Sequence, residues 1–224
     1  MLNDYNVCMK KIIIVFLASG IFLYAHTLWI DDRFRLHQGH MNNHHADESR
    51  VDKKEISAIY CLKKSLISKQ TYHTLAKKGC SVIFVQLQSH YYTKTPYGIK
   101  KIPKNSVKMP LKSWLSIESV KRLYRDEQKP FNQGLEVLLR NNFSEIKVGE
   151  KARLSIYFDG KPLKGAVVSN GHKTIGVSDS KGFVNVKIRH KGLQNLKASY
   201  TLKGDGVKCD EIIHTTTLNF EVKQ

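Results

Sequence analysis

In "ARLSIYF", residues 152 to 158, Leu154, Ile156 and Phe158 fall at every second position. A period of two lines one face of a strand and cannot line one face of a helix. The pattern returns in "FVNVKI" (183 to 188), where Phe183, Val184, Val186 and Ile188 are disposed about the pleat. "DGKPLKG" and "SDSKG" supply turns, and "AVV", "LKASYTL" and "TTTLNFEV" supply further short strands. Strands at this spacing, bounded by Gly, Asp and Pro, predict a mainly β fold with an immunoglobulin-like or prealbumin-like β-sandwich over residues 141–224.

The first half of the chain is mixed. "SVIFVQLQ" (81 to 88) and "LEVLL" (135 to 139) read as buried strands. Between them, "PLKSWLSIESVKRLYRDE" brings Leu111, Trp114, Leu115, Leu123 and Tyr124 near one helical face, with Pro110 near the start, and so predicts one helix. Residues 41 to 57 are polar and aperiodic, which predicts a long loop. The expected organisation is a β-rich domain with one helix over residues 26–140, then the sandwich, with the boundary falling between about 130 and 145.

Residues 1–25 read as a secretory signal. Lys10 and Lys11 precede a twelve-residue apolar run, Ile12 to Leu23, which Tyr24 and Ala25 follow. The run is well short of the roughly 20 residues that a spanning helix needs. Cleavage after Ala25 would make His26 the mature N-terminus; Leu23, three residues before the cut, is larger than the preferred residue, and an uncleaved anchor is the alternative. The expected location is the periplasm, with no membrane span after processing.

The chain carries a net charge of +18. In a cytosolic protein that balance would point to nucleic acid. Here the lysines occur singly and in pairs, with no basic helix, aromatic RNA-binding signature or zinc-finger spacing, and the leader directs the chain away from nucleic acid. The charge reads as affinity for anionic surfaces or partners. Cys61, Cys80 and Cys209 survive processing; in an oxidising compartment one pair is expected to bridge, with Cys61–Cys80 favoured and three buried free thiols as the alternative.

Ten histidines are present, and five of them, His26, His37, His40, His44 and His45, fall within twenty residues. Imidazole is the commonest side-chain ligand for late first-row divalent metals. A freed His26 would offer both an α-amine and an imidazole to one ion, a nitrogen-rich chelate that suits Ni(II) or Cu(II). His40 is the nearest partner, since Gly39 lets the chain turn beside it. For His37, His44 and His45 taken singly, a solvated loop is the competing reading.

Enzyme signatures are missing from the sequence. "GKPLKGA" (160 to 166) has Ala166 where a phosphate loop needs Lys, so it reads as a turn. HExxH and GxSxG do not occur. Ser169, His172 and Asp179 read as polar strand-end residues, and Asp179 with Gly182 as hairpin punctuation. The expectation is a protein that is not an enzyme.

Taken in order, "AHTLWI" after the leader, Gly39–His40, "ESRV" (48 to 51), "YYTKTPYG" (91 to 98), "LEVLL", "KVGEKARLSIYFDGKPLKGAVV" (147 to 168), "SDSKGFVNVKI" (178 to 188) and "TTTLNFEV" make the chain similar to the bacterial periplasmic accessory proteins of nickel and cobalt ABC transport. That resemblance implies a β-rich secreted protein that holds Ni(II) or Co(II) through His26 and His40. It also implies delivery of the ion to the membrane permease of an ABC transporter. "MNNHHADE" departs from the family's apolar segment and adds His44 and His45 as substitute or supplementary ligands. Two other readings stand beside it. One is a copper-binding histidine-brace protein; the other is an envelope β-sandwich interaction module with incidental histidines.

Overall fold

The computed structural model describes residues 27–39, 49–71, 79–126, 129–142, 144–171 and 173–223. In chain order the strands are β1 (Thr27–Ile30), β2 (Leu36–Gly39), β3 (Ser49–Arg50), β4 (Ile56–Lys63), β5 (Leu66–Lys69) and β6 (Val82–Leu87). Next come β7 (His90–Thr95), β8 (Gly98–Lys100), β9 (Lys112–Leu123), β10 (Leu135–Leu139), β11 (Lys151–Phe158) and β12 (Lys161–Pro162). The last are β13 (Val167–Asn170), β14 (Lys173–Val177), β15 (Phe183–Lys187), β16 (Gly192–Lys203) and β17 (Glu211–Val222). The helical content of the described residues is two single 3-10 turns, Lys53–Glu55 and Lys104–Ser106.

Strand β6 shows how the layers arise. Its side chains alternate, and Val82 and Phe84 enter one core while Ile83 and Val85 enter another on the opposite face. A strand apolar on both faces must be covered on both. β6 lies inside a ten-stranded sheet whose main path is β14-β13-β16-β17-β9-β6-β4-β5, with β7 and β8 attached at β9. A four-stranded sheet of β10, β11, β12 and β15 covers one face, burying Val137, Leu154, Ile156 and Val186 against Phe84, Leu196, Leu218 and Phe220. The small β1-β2-β3 sheet covers part of the other, placing Leu28, Ile30 and Leu36 over Ile59, Ile83, Val85 and Val120.

The strands anticipated in the C-terminal third form where expected, and the fold is a mainly β sandwich. Asp179 and Gly182 do punctuate a hairpin. The Asp179 carboxylate accepts from the amides of Lys181 and Phe183, each at 2.8 Å. Gly182 sits at φ +78°, where a Cβ would lie 2.6 Å from the Ile156 carbonyl oxygen. The favoured Cys61–Cys80 disulfide is present, and Cys209 is free and buried.

The helix expected over residues 110–127 is not formed. Residues 112–123 are the twelve-residue strand β9, paired parallel to β17 on one side and antiparallel to β6 on the other. Because both of its faces are covered, residues 119 to 123 are all buried, including Lys121 and Arg122. Two charged residues inside erased the alternation that marks a strand, and the spacing of Leu111, Trp114 and Leu115 imitated a helical face. The loop expected over 41 to 57 is also shortened: β3, the first 3-10 turn and the start of β4 occupy residues 49 to 57. Pairing crosses residue 140 twice, through β10 with β11 and β9 with β17.

Candidate functional site at the end of the N-terminal hairpin

The β1–β2 hairpin is fixed from both sides. Its register runs from Ile30 opposite Leu36 to Thr27 opposite Gly39, where the Thr27 hydroxyl donates to the Gly39 carbonyl at 3.0 Å. The free edge of β1 is held by side chains of β17: the Asn219 carbonyl oxygen accepts from the Ile30 amide at 3.0 Å, and the Thr217 hydroxyl donates to the Leu28 carbonyl at 2.7 Å. Asn219 in turn donates to Asn195 at 2.9 Å. A short hairpin thus acquires a rigid seat on the large sheet.

His37 belongs to that seat. It is buried, stacks on Trp29 with ring centroids 5.5 Å apart, and lies 3.1 Å from an Asp31 carboxylate oxygen. Burial works against the Asp31 charge, yet bonds from Arg35, His37 and Arg33 outweigh it and hold the carboxyl below its ordinary range. The other histidines proposed as ligands, His26, His40, His44 and His45, lie outside the described residues, as do residues 1–25, where a secretory signal is expected, and His172. Two of them adjoin the hairpin in sequence, His26 before Thr27 and His40 after Gly39.

Beside Gln38, near this same end, opens a polar cleft of about 240 Å³, lined among others by Arg50, Glu55, His90, Tyr92 and Glu118. These come from the first 3-10 turn and from β3, β7 and β9, which the large sheet and the hairpin bring together. His90 Nε2 lies 2.6 Å from Glu55 Oε2, and Lys101 approaches the other Glu55 oxygen at 3.7 Å. The His90 bond holds the Glu55 carboxyl below its usual value. Burial first, then the carboxylates of Glu118 and Glu55, push the Tyr92 hydroxyl up. Ser116 donates to Glu118 at 2.9 Å. Three carboxylates, those of Asp52, Glu55 and Glu118, thus share the pocket with Arg50, Lys101 and His90. Sequence reasoning missed Glu55, His90 and Glu118, whose separation along the chain gives no local signal. Among the described residues, no group of three or more His, Cys, Asp or Glu could hold a metal ion.

Fold and site together define a three-layered β protein with a seated N-terminal hairpin and an adjoining polar cleft. Residues 41–202 match the profile of a family described as a domain of unknown function (DUF4198), and the chain belongs to that family. Among curated proteins and among solved structures, nothing matches the chain. Among the described residues, no helix is long and apolar enough to cross a membrane.

Proposed function

We propose that the protein is a periplasmic carrier that captures Ni(II) or Co(II) at the end of the β1–β2 hairpin and delivers it to the permease of an ABC transporter. The observation that carries this reading is the register, which ends with Thr27 opposite Gly39. One further step in each direction reaches His26 and His40. In this reading each of these flanking histidines gives an imidazole to one ion, since the two adjoin the paired end of the hairpin in sequence. The α-amine of a processed His26 adds a third nitrogen, and His44 or His45 a fourth. The similarity to nickel and cobalt accessory proteins points to the same cargo.

Calorimetric titration of processed protein tests this reading. About one tight Ni(II) or Co(II) site is expected. Leaving one residue ahead of His26 converts the amine to an amide, and His26→Ala removes the imidazole. Each change, and His40→Ala, is expected to weaken binding by about 10-fold or more. His190→Ala is expected to leave it unchanged. Affinity is expected to fall as pH drops through about 6 to 7, where free imidazoles protonate. Equal affinity in the extended and processed proteins would refute the terminal chelate. Cu(II) will bind the same donors tightly on general grounds, so oxidative turnover of a substrate with copper, rather than affinity, is what would favour a histidine-brace enzyme.

A further inference from the structure

Far along the chain from the hairpin, residues 94 to 112, "KTPYGIKKIPKNSVKMPLK", contain six lysines and no acidic residue. The same segment exposes large apolar side chains: Tyr97 is 83% exposed, Ile99 54%, Met109 58% and Leu111 61%. Val207, 61% exposed, joins them from the loop between β16 and β17. Backbone pairing gathers these residues at one end of the large sheet. Lys94 is opposite Ile99 on one side and Lys112 on the other, and the Leu111 amide donates to the Lys94 carbonyl at 2.8 Å. The Lys104 amide donates to the Lys208 carbonyl at 2.8 Å, which brings the 207–208 loop alongside. The Thr93 hydroxyl ties down the Ile102 carbonyl at 2.9 Å, and Asp210 holds both the amide and the hydroxyl of Ser113. The apolar side chains are therefore presented by a bonded scaffold.

Charge at this end is uneven. Lys104 pairs with Asp210, Lys112 with Glu211 and Lys101 with Glu55. Lys94, Lys100, Lys108 and Lys208 have no ion pair among the described residues. Asp205, the exposed acid of the neighbouring loop, turns its carboxylate onto the amides of Val207, Lys208 and Cys209. What remains is a lysine rim around exposed aliphatic side chains and a tyrosine at a hairpin tip.

We propose that this end of the molecule docks on an anionic phospholipid bilayer. Aliphatic side chains gain by leaving water, tyrosine favours the headgroup level, and lysine lays its apolar stem along the surface while its ammonium meets lipid phosphate. Charge selects the occupant, because a rim of unpaired lysines complements an anionic headgroup layer. Each lysine near such a surface is worth about 5-fold in binding.

Co-sedimentation of the protein, recovered as the cell processes it, with vesicles of phosphatidylcholine containing one third phosphatidylglycerol tests the proposal. Binding is expected at low ionic strength and is expected to drop steeply at about 0.5 M salt. Lys100→Ser with Lys108→Ser is expected to weaken it about 25-fold, whereas Lys151→Ser with Lys187→Ser, an equal charge change on the distant small sheet, is expected to leave it within about 2-fold. Tyr97→Trp should give a fluorophore whose emission shifts to the blue on adding these vesicles, against Trp29 and Trp114, which are buried. No sedimentation with anionic vesicles, as expected if this face instead binds a protein, overturns the proposal. So does equal binding to phosphatidylcholine alone, as a retained apolar leader would produce, or an equal loss in the two lysine pairs.

Discussion

Lys121 and Glu136 join the two principal sheets by a buried ion pair, and removing one partner is the most informative test of the packing. Lys121 lies on β9 of the ten-stranded sheet and Glu136 on β10 of the four-stranded sheet; their side chains are 2% and 0% exposed, with 2.6 Å between Nζ and Oε2. The partners are unequally supported. Glu136 also accepts from the amides of Phe131 at 2.9 Å and Gln133 at 3.1 Å, while Lys121 otherwise faces the rings of Phe131 and Phe84 at 5.1 and 5.5 Å. Breaking a buried pair from one side costs about 3–5 kcal/mol. Lys121→Met, which leaves a carboxylate with two amide donors, belongs near the lower end of that range. Glu136→Gln strands an ammonium that only ring faces support, and belongs near the upper end. The double variant carries no buried charge and weakens at most one amide bond of Glu136, so it should cost about 1–3 kcal/mol. Equilibrium urea unfolding of the four proteins reads these values, and the double variant should be more stable than the sum of the singles predicts by about 3 kcal/mol or more. Burial already lowers the proton affinity of Lys121, with Glu136 offsetting part of the effect. A base whose folded pKa is lowered gains stability as pH rises towards its unfolded pKa, so the Glu136→Gln deficit should shrink as pH approaches about 10. Singles that add to the double within about 0.5 kcal/mol would refute the coupling.

Three further outcomes are expected. Replacing Cys61 and Cys80 by Ser opens a loop of about 20 residues and should cost about 3 kcal/mol in urea unfolding, an effect that reductant should reproduce in the unaltered protein. His214 is buried with Nδ1 unpaired among the described residues and packs edge-on against Phe158 at 4.8 Å; desolvation lowers its pKa, with a smaller opposing pull from Asp159. Its contribution is complete above the unfolded value of about 6.5 and is lost as pH falls through the lower folded value, so His214→Phe should flatten the acid side of the stability profile between those limits. Asn219→Ala removes the acceptor of the Ile30 amide and should cost about 1–3 kcal/mol. Amide exchange should then quicken in β1 and β2 before the rest of the sheet.

The parts of the fold legible in the sequence are those where one face is apolar and the other wet. β11 and β15 alternate because the small sheet buries one side of each, and their turns carry Gly, Asp and Pro. β9 was illegible as a strand because its second half is buried on both faces, with Lys121 and Arg122 as interior ion-pair members. β7 and β8 lack a periodic apolar face, so nothing local announces them. The candidate site divides in the same way. Its histidines stand out by type and by their closeness in sequence, whereas the cleft of Glu55, His90 and Glu118 exists only because β7 and β9 meet beside the hairpin. His37 shows the limit of counting histidines: its stacking on Trp29 makes it part of the hairpin's packing.

The parallel pairing of β9 with β17 bears on the order in which the protein can be built. β17 lies between β9 and β16 in the middle of the ten-stranded sheet, yet it is translated after both. Until residues 211 to 222 leave the ribosome, β9 and β16 each keep a long inner edge bare, and closing a contact across so much chain is slow. The nascent polypeptide is thus held open until its last strand has been made. A stop codon ahead of Glu211 would yield no smaller version of the fold. It would leave two long strand edges facing outward, and the next copy of the same truncated chain would be their nearest match.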